Sequence, residues 1–263
     1  RRYSNRMQES DIQEIKQHAE SRLQTLERFM WPGGSEAKPA TNQNHIRMYG
    51  HNLCPFVARA RYTFACKDVQ FQEVLVDLNI KADWHKEFNG GMVPVLEAPT
   101  GELIPESGIQ MQYALDAAPA GQGLELIPSD PLVAAQMRVK MADFDKKVLR
   151  HLFGVGLSRF QDLQEVDGYV SVAIPYIEEL CPEVSSDKWL MGTDEMTLFD
   201  IHCGAMWDFF YVLAQAPAYS DVPALADLAQ KSPKWWAYMQ RFRAHPKLAL
   251  TCMKQDVANK YAQ

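Results

Sequence analysis

The strongest constraint on this chain is a change of period part-way along it. Between residues 45 and 118, short strand-like runs alternate with helical ones, whereas from residue 131 onward the apolar residues recur with helical spacing. Strands alternating with helices imply a small mixed sheet covered by helices, and a long run of helices implies a separate bundle. The expected fold is therefore α/β plus all-α, in three parts: an N-terminal helical extension over 1–44, an α/β domain over 45–118 and an all-helical domain over 131–263. A chain of 263 residues has room for two such domains.

In the extension, Ser10 and Gln13 fit a capping box, and apolar residues recur at Ile12, Ile15, Ala19, Leu23, Leu26 and Met30. This stripe predicts an amphipathic helix, which must dock on its own body, a second copy or a larger complex. A Pro/Gly/polar linker follows from Trp31-Pro32-Gly33-Gly34 to Asn44. The basic start Arg1-Arg2-Tyr3-Ser4 has the composition of a mitochondrial targeting remnant, or of an ordinary solvated terminus. Five scattered cysteines without metal-binding spacing suit a reducing compartment, cytoplasm or mitochondrial matrix. The net charge of -6 argues against a nucleic-acid surface, and no apolar run is long enough for a membrane span.

In the α/β part, Ile46–Tyr49 and Phe71–Asp77 read as strands, with a helix between them that begins after Cys54. A short helical stretch near 84–88 comes next, then strands over 93–97 and 102–104 and a helix over 107–117. In the helical part, long segments are expected over 137–152, 164–180 and 197–213. Shorter ones opening on proline are expected over 223–229, 233–244 and 246–257. Thr197 and Asp200 fit a capping box ahead of a segment apolar nearly all round, as a central buried helix would be.

Chemistry points first to Cys54-Pro55-Phe56. A cysteine at a strand-to-helix turn has its sulfur beside unpaired N–H groups, which together with the helix dipole favour a thiolate. Pro55 suits the first helical position, because its missing N–H has no partner there. Arg59 and Arg61 add positive potential, although their side chains could equally face solvent. A thiolate here would attack disulfides or electrophilic carbon; the alternative is a buried structural cysteine. Cys66 lies twelve residues on, at the far end of the same helix, and position 57 is Val, so Cys54 lacks a resolving thiol nearby. Cys203 reads as a core residue. His51 and His85 belong to no set with metal-ligand spacing.

Several motifs in order resemble the cytosolic glutathione transferases, most closely the omega class, over about residues 45–257. They are Cys54-Pro55-Phe56-Val57-Ala58-Arg59-Ala60-Arg61, Lys81-Ala82-Asp83-Trp84, Val93-Pro94-Val95-Leu96-Glu97, Glu106-Ser107, Thr197 to Asp200, and Pro233 through Trp236 to Pro246. The resemblance implies a thioredoxin-like domain followed by a glutathione-transferase-type helical domain, with glutathione as cosubstrate. It makes Cys54 catalytic and implies glutathione-binding roles for Phe56, Lys81, Val93, Pro94, Glu106 and Ser107, with Pro94 after a cis bond. The physical roles agree. Val93, held extended by the proline after it, can pair with the ligand backbone. Glu106 can accept an ammonium, while Ser107 and its helix terminus can bind a carboxylate. Lys81 could meet a second carboxylate or be a solvated surface charge.

The expected activity is that of a glutathione-dependent thiol transferase and dehydroascorbate reductase acting on small thiol and disulfide substrates. A non-catalytic accessory subunit of a larger assembly, mitochondrial or other, is the alternative, with the N-terminal helix as the contact to a second copy or a partner. A chloride-intracellular-channel-like protein shares the Cys-Pro-Phe domain and stands third. Two departures are plain. His202-Cys203-Gly204-Ala205 are smaller or more polar than the omega pattern, so preference for the second substrate does not transfer. The 44-residue extension is longer than the family's usual arm.

Overall fold

The computed structural model describes residues 25–31, 37–151, 154 and 162–261. Among these residues, five strands form one mixed sheet: β1 (Thr25–Trp31), β2 (Arg47–Gly50), β3 (Phe71–Val76), β4 (Val95–Glu97) and β5 (Leu103–Ile104), in the order β1-β3-β2-β4-β5. β3 runs parallel to β1 and β2, while β4 is antiparallel to β2 and β5. The crossover from β2 to β3 carries helix α1 (Pro55–Cys66), as a parallel pair requires. A short helix α2 (Asp83–Glu87) precedes β4, and α3 (Ser107–Ala117) follows β5.

β1 corrects the expected N-terminal helix. Leu26 and Met30 belong to a seven-residue strand rather than to the end of a helical stripe, while residues 1–24 lie outside the described residues. Thr25, Phe29 and Trp31 favour extended backbone, and the outer edge of β3 supplies ladder partners that a helix would leave unused. Part of the expected linker is likewise tied down: Thr41 donates to Glu97 at 2.9 Å, Lys38 pairs with the same carboxylate, and Arg47 donates to the Pro39 carbonyl at 3.3 Å.

α1 is buried on nearly every side because its small and apolar residues serve two neighbours. Val57, Ala60 and Phe64 pack on the sheet with Met48, Phe71 and Leu96, while Ala58, Tyr62 and Cys66 join the core of the helical domain. The spacing of four between 58, 62 and 66 puts them on one face. On the sheet's other side, Tyr49, Val74, Val76 and Val95 pack with Phe88 and Trp84.

The helical domain opens with α4 (Pro131–Phe144), six residues earlier than the apolar period indicated because Asp130 caps it, accepting from Leu132 N at 2.8 Å. α4 runs on into a π turn over Asp145–Leu149. Next come α5 (Leu163–Leu180) and α6 (Leu198–Leu213), whose side chains are buried all round except Tyr211, as the sequence suggested. α7 (Leu228–Lys231), α8 (Pro233–Ala244) and α9 (Gln255–Tyr261) complete it.

Two short helices differ from expectation. Asp227 takes a left-handed φ of 56°, so the helix expected over 223–229 begins only at Leu228. The stretch after Pro246 turns instead of running as a helix to 257, and its end is held where Met253 N donates to Asp208 at 2.8 Å and Arg243 donates to the Met253 carbonyl at 3.0 Å. Asp208 is itself buried, taking Tyr62 Oη at 2.5 Å from α1, so one carboxylate joins the two domains.

Candidate active site around Cys54

Cys54 is the N-cap of α1, with extended backbone and a half-buried side chain that makes no cap hydrogen bond. Its Sγ lies 3.9 Å from the Val93 carbonyl, so the turn before α1 and the approach to β4 meet at the sulfur. Burial pushes the Cys54 thiol up, while the N–H groups of Val57 and Phe56 and the charge of Arg61 pull it down; the net direction is upward. This corrects the expectation of a thiol held below its ordinary range. A helix N-terminus favours a thiolate, but desolvation in a packed turn opposes it more strongly.

The Val93–Pro94 bond is cis, as the resemblance implied. The Pro94 carbonyl accepts from Gln110 Nε2 at 3.0 Å, and the same amide donates to the Ile104 carbonyl at 2.8 Å. Gln110 is fully buried on α3, so it fixes the cis-proline turn against the helix that Ser107 opens. Sequence reading missed it; its one signal is a polar residue on the apolar face of a helix. Ser107 is buried at the first position of α3. Glu106, the N-cap, is exposed and holds a φ of 70°, a region that non-glycine residues enter at a cost.

Lys81 is half-buried across Gly91, near enough that a Cβ there would come within 2.9 Å of its Cδ. It thus lies beside the turn leading into Val93. Phe56 is half-buried, with the Arg59 guanidinium 5.8 Å from its ring centre. The direct contacts therefore join Cys54 to Val93, and Pro94 to α3; Lys81 and Phe56 flank that centre from the α2 and α1 sides.

Both arginines of α1 point inward. Arg61 Nε donates to Glu73 Oε1 at 2.8 Å, and its Nη2 reaches the His51 carbonyl at 3.5 Å. Arg59 donates to Asp145 at 2.6 Å and to the His202 carbonyl at 3.1 Å, and His202 Nε2 lies 2.8 Å from the same Asp145 oxygen. Burial would raise the Asp145 carboxyl, but the His202 hydrogen bond and the Arg59 charge outweigh it and hold it low. Burial keeps His202 below the ordinary imidazole range. Asp145 also begins the π turn, an irregularity that commonly marks functional positions. No local pattern announced this cluster, because its members are 57 to 143 residues apart.

Cys66 and Cys203 are buried, with thiols pushed up by burial; for Cys203 this is the core position expected from sequence. Among the described residues no group of three His, Cys, Asp or Glu side chains could hold a metal, and no helix is long and apolar enough to cross a membrane.

Residues 48–123 match the family described as "Glutathione S-transferase, N-terminal domain". The chain is 32% identical to mouse glutathione S-transferase omega-1 over 114 residues, covering 43% of this chain and 46% of that protein. It is 26% identical to rat glutathione S-transferase omega-2 over 220 residues, 81% of this chain and 76% of that one. The stretch shared with the first of these is thus less than half of the relative's length. Among solved structures, glutathione transferase Omega 1C from Trametes versicolor superposes with a TM-score of 0.63 at 18% identity, over 83% of this chain and 94% of that one. Rice GST1, solved in complex with glutathione, gives 0.64 at 18% identity, over 86% and 96%. At such identities the structures speak for the fold, and the omega likeness comes from the relatives. The matched N-terminal domain, these relatives and the shared two-domain fold make the chain similar to the omega-class glutathione S-transferases.

Proposed function

We propose that the protein is an omega-like, glutathione-dependent thiol transferase whose nucleophile is Cys54. The observation carrying this is the sulfur at an uncapped helix start, 3.9 Å from the carbonyl of the residue before a cis-proline. A tripeptide laid along Val93 would bring its own sulfur beside Cys54, its γ-glutamyl end towards Glu106 and Ser107, and its glycyl carboxylate towards Lys81.

The chemistry balances with glutathione alone as reductant. The Cys54 thiolate attacks the glutathione sulfur of a mixed disulfide, forming a Cys54–glutathione disulfide and expelling the substrate thiolate, which takes a proton. A second glutathione thiolate then attacks that disulfide, releasing oxidised glutathione and restoring Cys54. With dehydroascorbate, two glutathiones supply the two electrons and two protons, and the products are ascorbate and oxidised glutathione. The second glutathione is required because Val57 occupies the place of a resolving cysteine and Cys66 is buried at the other end of α1.

The accessory-subunit reading rests on the basic start and the N-terminal stripe; Leu26 and Met30 of that stripe lie in β1 and its other residues outside the described ones. The test is exchange between a glutathionylated peptide and free glutathione, with the protein trapped and its mass measured. A gain of one glutathione at Cys54 supports the enzyme reading. An unmodified Cys54 with no turnover would point to the accessory reading instead.

A further inference from the structure

We propose that Arg28, on the extra edge strand β1, is a positioning residue for the Cys54 turn, acting through Asn52 and through the buried Glu73–Arg61 pair. β1 lies along the outer edge of β3 with Arg28 in register with Glu73. Arg28 Nε pairs with Glu73 Oε2 at 2.8 Å, and the other end of the same guanidinium donates to Asn52 Oδ1. Asn52 stands two residues before Cys54. The opposite oxygen of Glu73 receives Arg61, which also reaches the His51 carbonyl, three residues before Cys54. An element outside the matched domain thus holds the turn that carries the thiol at two points.

The charges give this arrangement a consequence. Glu73 is 1% exposed and lies between two guanidiniums, so two cations meet one anion beneath the turn. Glu73 offsets part of the positive field that Arg61 puts on the sulfur. With Arg28 sharing Glu73, a net positive charge remains on the Arg61 side and opposes the desolvation of the thiolate. The other groups facing this cluster are Tyr62 on α1, whose phenol burial keeps protonated, and His51, which burial and Arg61 hold neutral down to about 4, with Asp77 beyond it. Arg28 is the member nearest solvent, with 41% of its side chain exposed, so its influence is partly screened.

This inference rests on Cys54 being the reactive thiol, but its test needs no glutathione. Iodoacetamide alkylation of Cys54 is followed by mass spectrometry across pH in the full chain; the other four cysteines are buried and serve as internal controls. Arg28→Ala should raise the midpoint by about half a pH unit, which is about threefold slower alkylation at a fixed pH below it. Arg28→Lys should bring the midpoint back. Glu73→Gln should move it the opposite way, downward. Asn52→Ala keeps every charge, so it should leave the midpoint in place and slow alkylation by about threefold, the worth of one hydrogen bond. An unmoved midpoint in Arg28→Ala, or an upward one in Glu73→Gln, overturns the proposal, and the latter decides if Arg28→Ala does not fold. Normal Arg28 effects in a protein that exchanges no glutathione would leave this inference standing and remove the functional reading.

Discussion

The helix starts of the two domains are finished differently. In the helical domain each long helix has its first N–H groups taken by a carboxylate. Asp130 serves α4, Asp162 accepts from Gln164 and Glu165 at 3.0 Å on α5, and Asp200 takes the Thr197 N–H and hydroxyl at 2.8 and 2.7 Å on α6. Glu178 even reaches out of α5 to take the Lys234 and Trp235 N–H groups of α8 at 3.0 and 2.9 Å. In the α/β domain, Cys54 and Glu106 occupy the N-cap positions of α1 and α3, and neither side chain makes a cap bond. A missing cap costs a helix about 1 kcal/mol. The two uncapped starts flank the Val93–Pro94 turn, where an anionic ligand could use the donors they leave. At α1 the Phe56 and Val57 N–H groups face the Cys54 sulfur instead of a carboxylate.

The largest expected effect breaks this contrast at its reactive end. Cys54→Ala should lower disulfide exchange by on the order of 10³-fold or more, since the covalent step has no substitute. Circular dichroism and melting temperature should hardly change, because the thiol makes no cap bond. Exchange that persists in the variant would mean that the sulfur is not the nucleophile.

The matching test at a capped start should show the reverse pattern. Asp200 is fully buried and accepts four hydrogen bonds, from Leu190 N, Thr197 N, Thr197 Oγ1 and Tyr238 Oη. Asp200→Ala leaves those donors unpaired and should destabilise the fold by about 3 kcal/mol or more. Chemical denaturation would measure it. A loss below about 1 kcal/mol would show that water or a neighbour replaces the carboxylate.

Which parts of this were legible in sequence follows from how local each signal is. The capping box at Thr197, the strand–Cys–Pro–helix junction and the long apolar segments are written within a few residues, so α1, α3, α5 and α6 could be read directly. β1 could not, because its seven residues end a helical stripe and its reason for being extended is an edge 46 residues away. Arg28, Gln110 and Asp145 were hidden for the same reason, as their partners come from other elements. One clue was available: Glu73 and Glu97 are acids within apolar strands, and a buried acid demands a buried partner. Arg61 and Arg47 are those partners.

At α3 the contrast can be sharpened by separating ligand binding from strain. Ser107→Ala and Glu106→Gln should each weaken glutathione by about 1–3 kcal/mol, because a charged ligand group loses a partner. Glu106→Gly should weaken it as much, yet raise stability by up to about 1 kcal/mol by removing the cost of φ 70°. Calorimetry and denaturation on the same three proteins would show both. If Glu106→Gly gains no stability, the strained backbone carries no cost at that start.

The smallest expected effect concerns the Cys54 thiol in the free protein. Burial favours its neutral form, and the N–H groups of Val57 and Phe56 with Arg61 only partly oppose that, so the folded thiol titrates above an ordinary one. A thiol is an acid, so a raised value means less thiolate at neutral pH than in an unfolded chain. Alkylation should therefore speed up as pH rises through the alkaline range, with its midpoint above the free-thiol value of about 8.5. The same shift makes folding oppose ionisation, so this group's contribution to stability is present below the unfolded value and falls as pH rises past it. A midpoint below about 8.5 would mean that the uncapped helix start outweighs burial. The contrast between the two domains would then be stronger, with the open terminus acting on the sulfur before any ligand arrives.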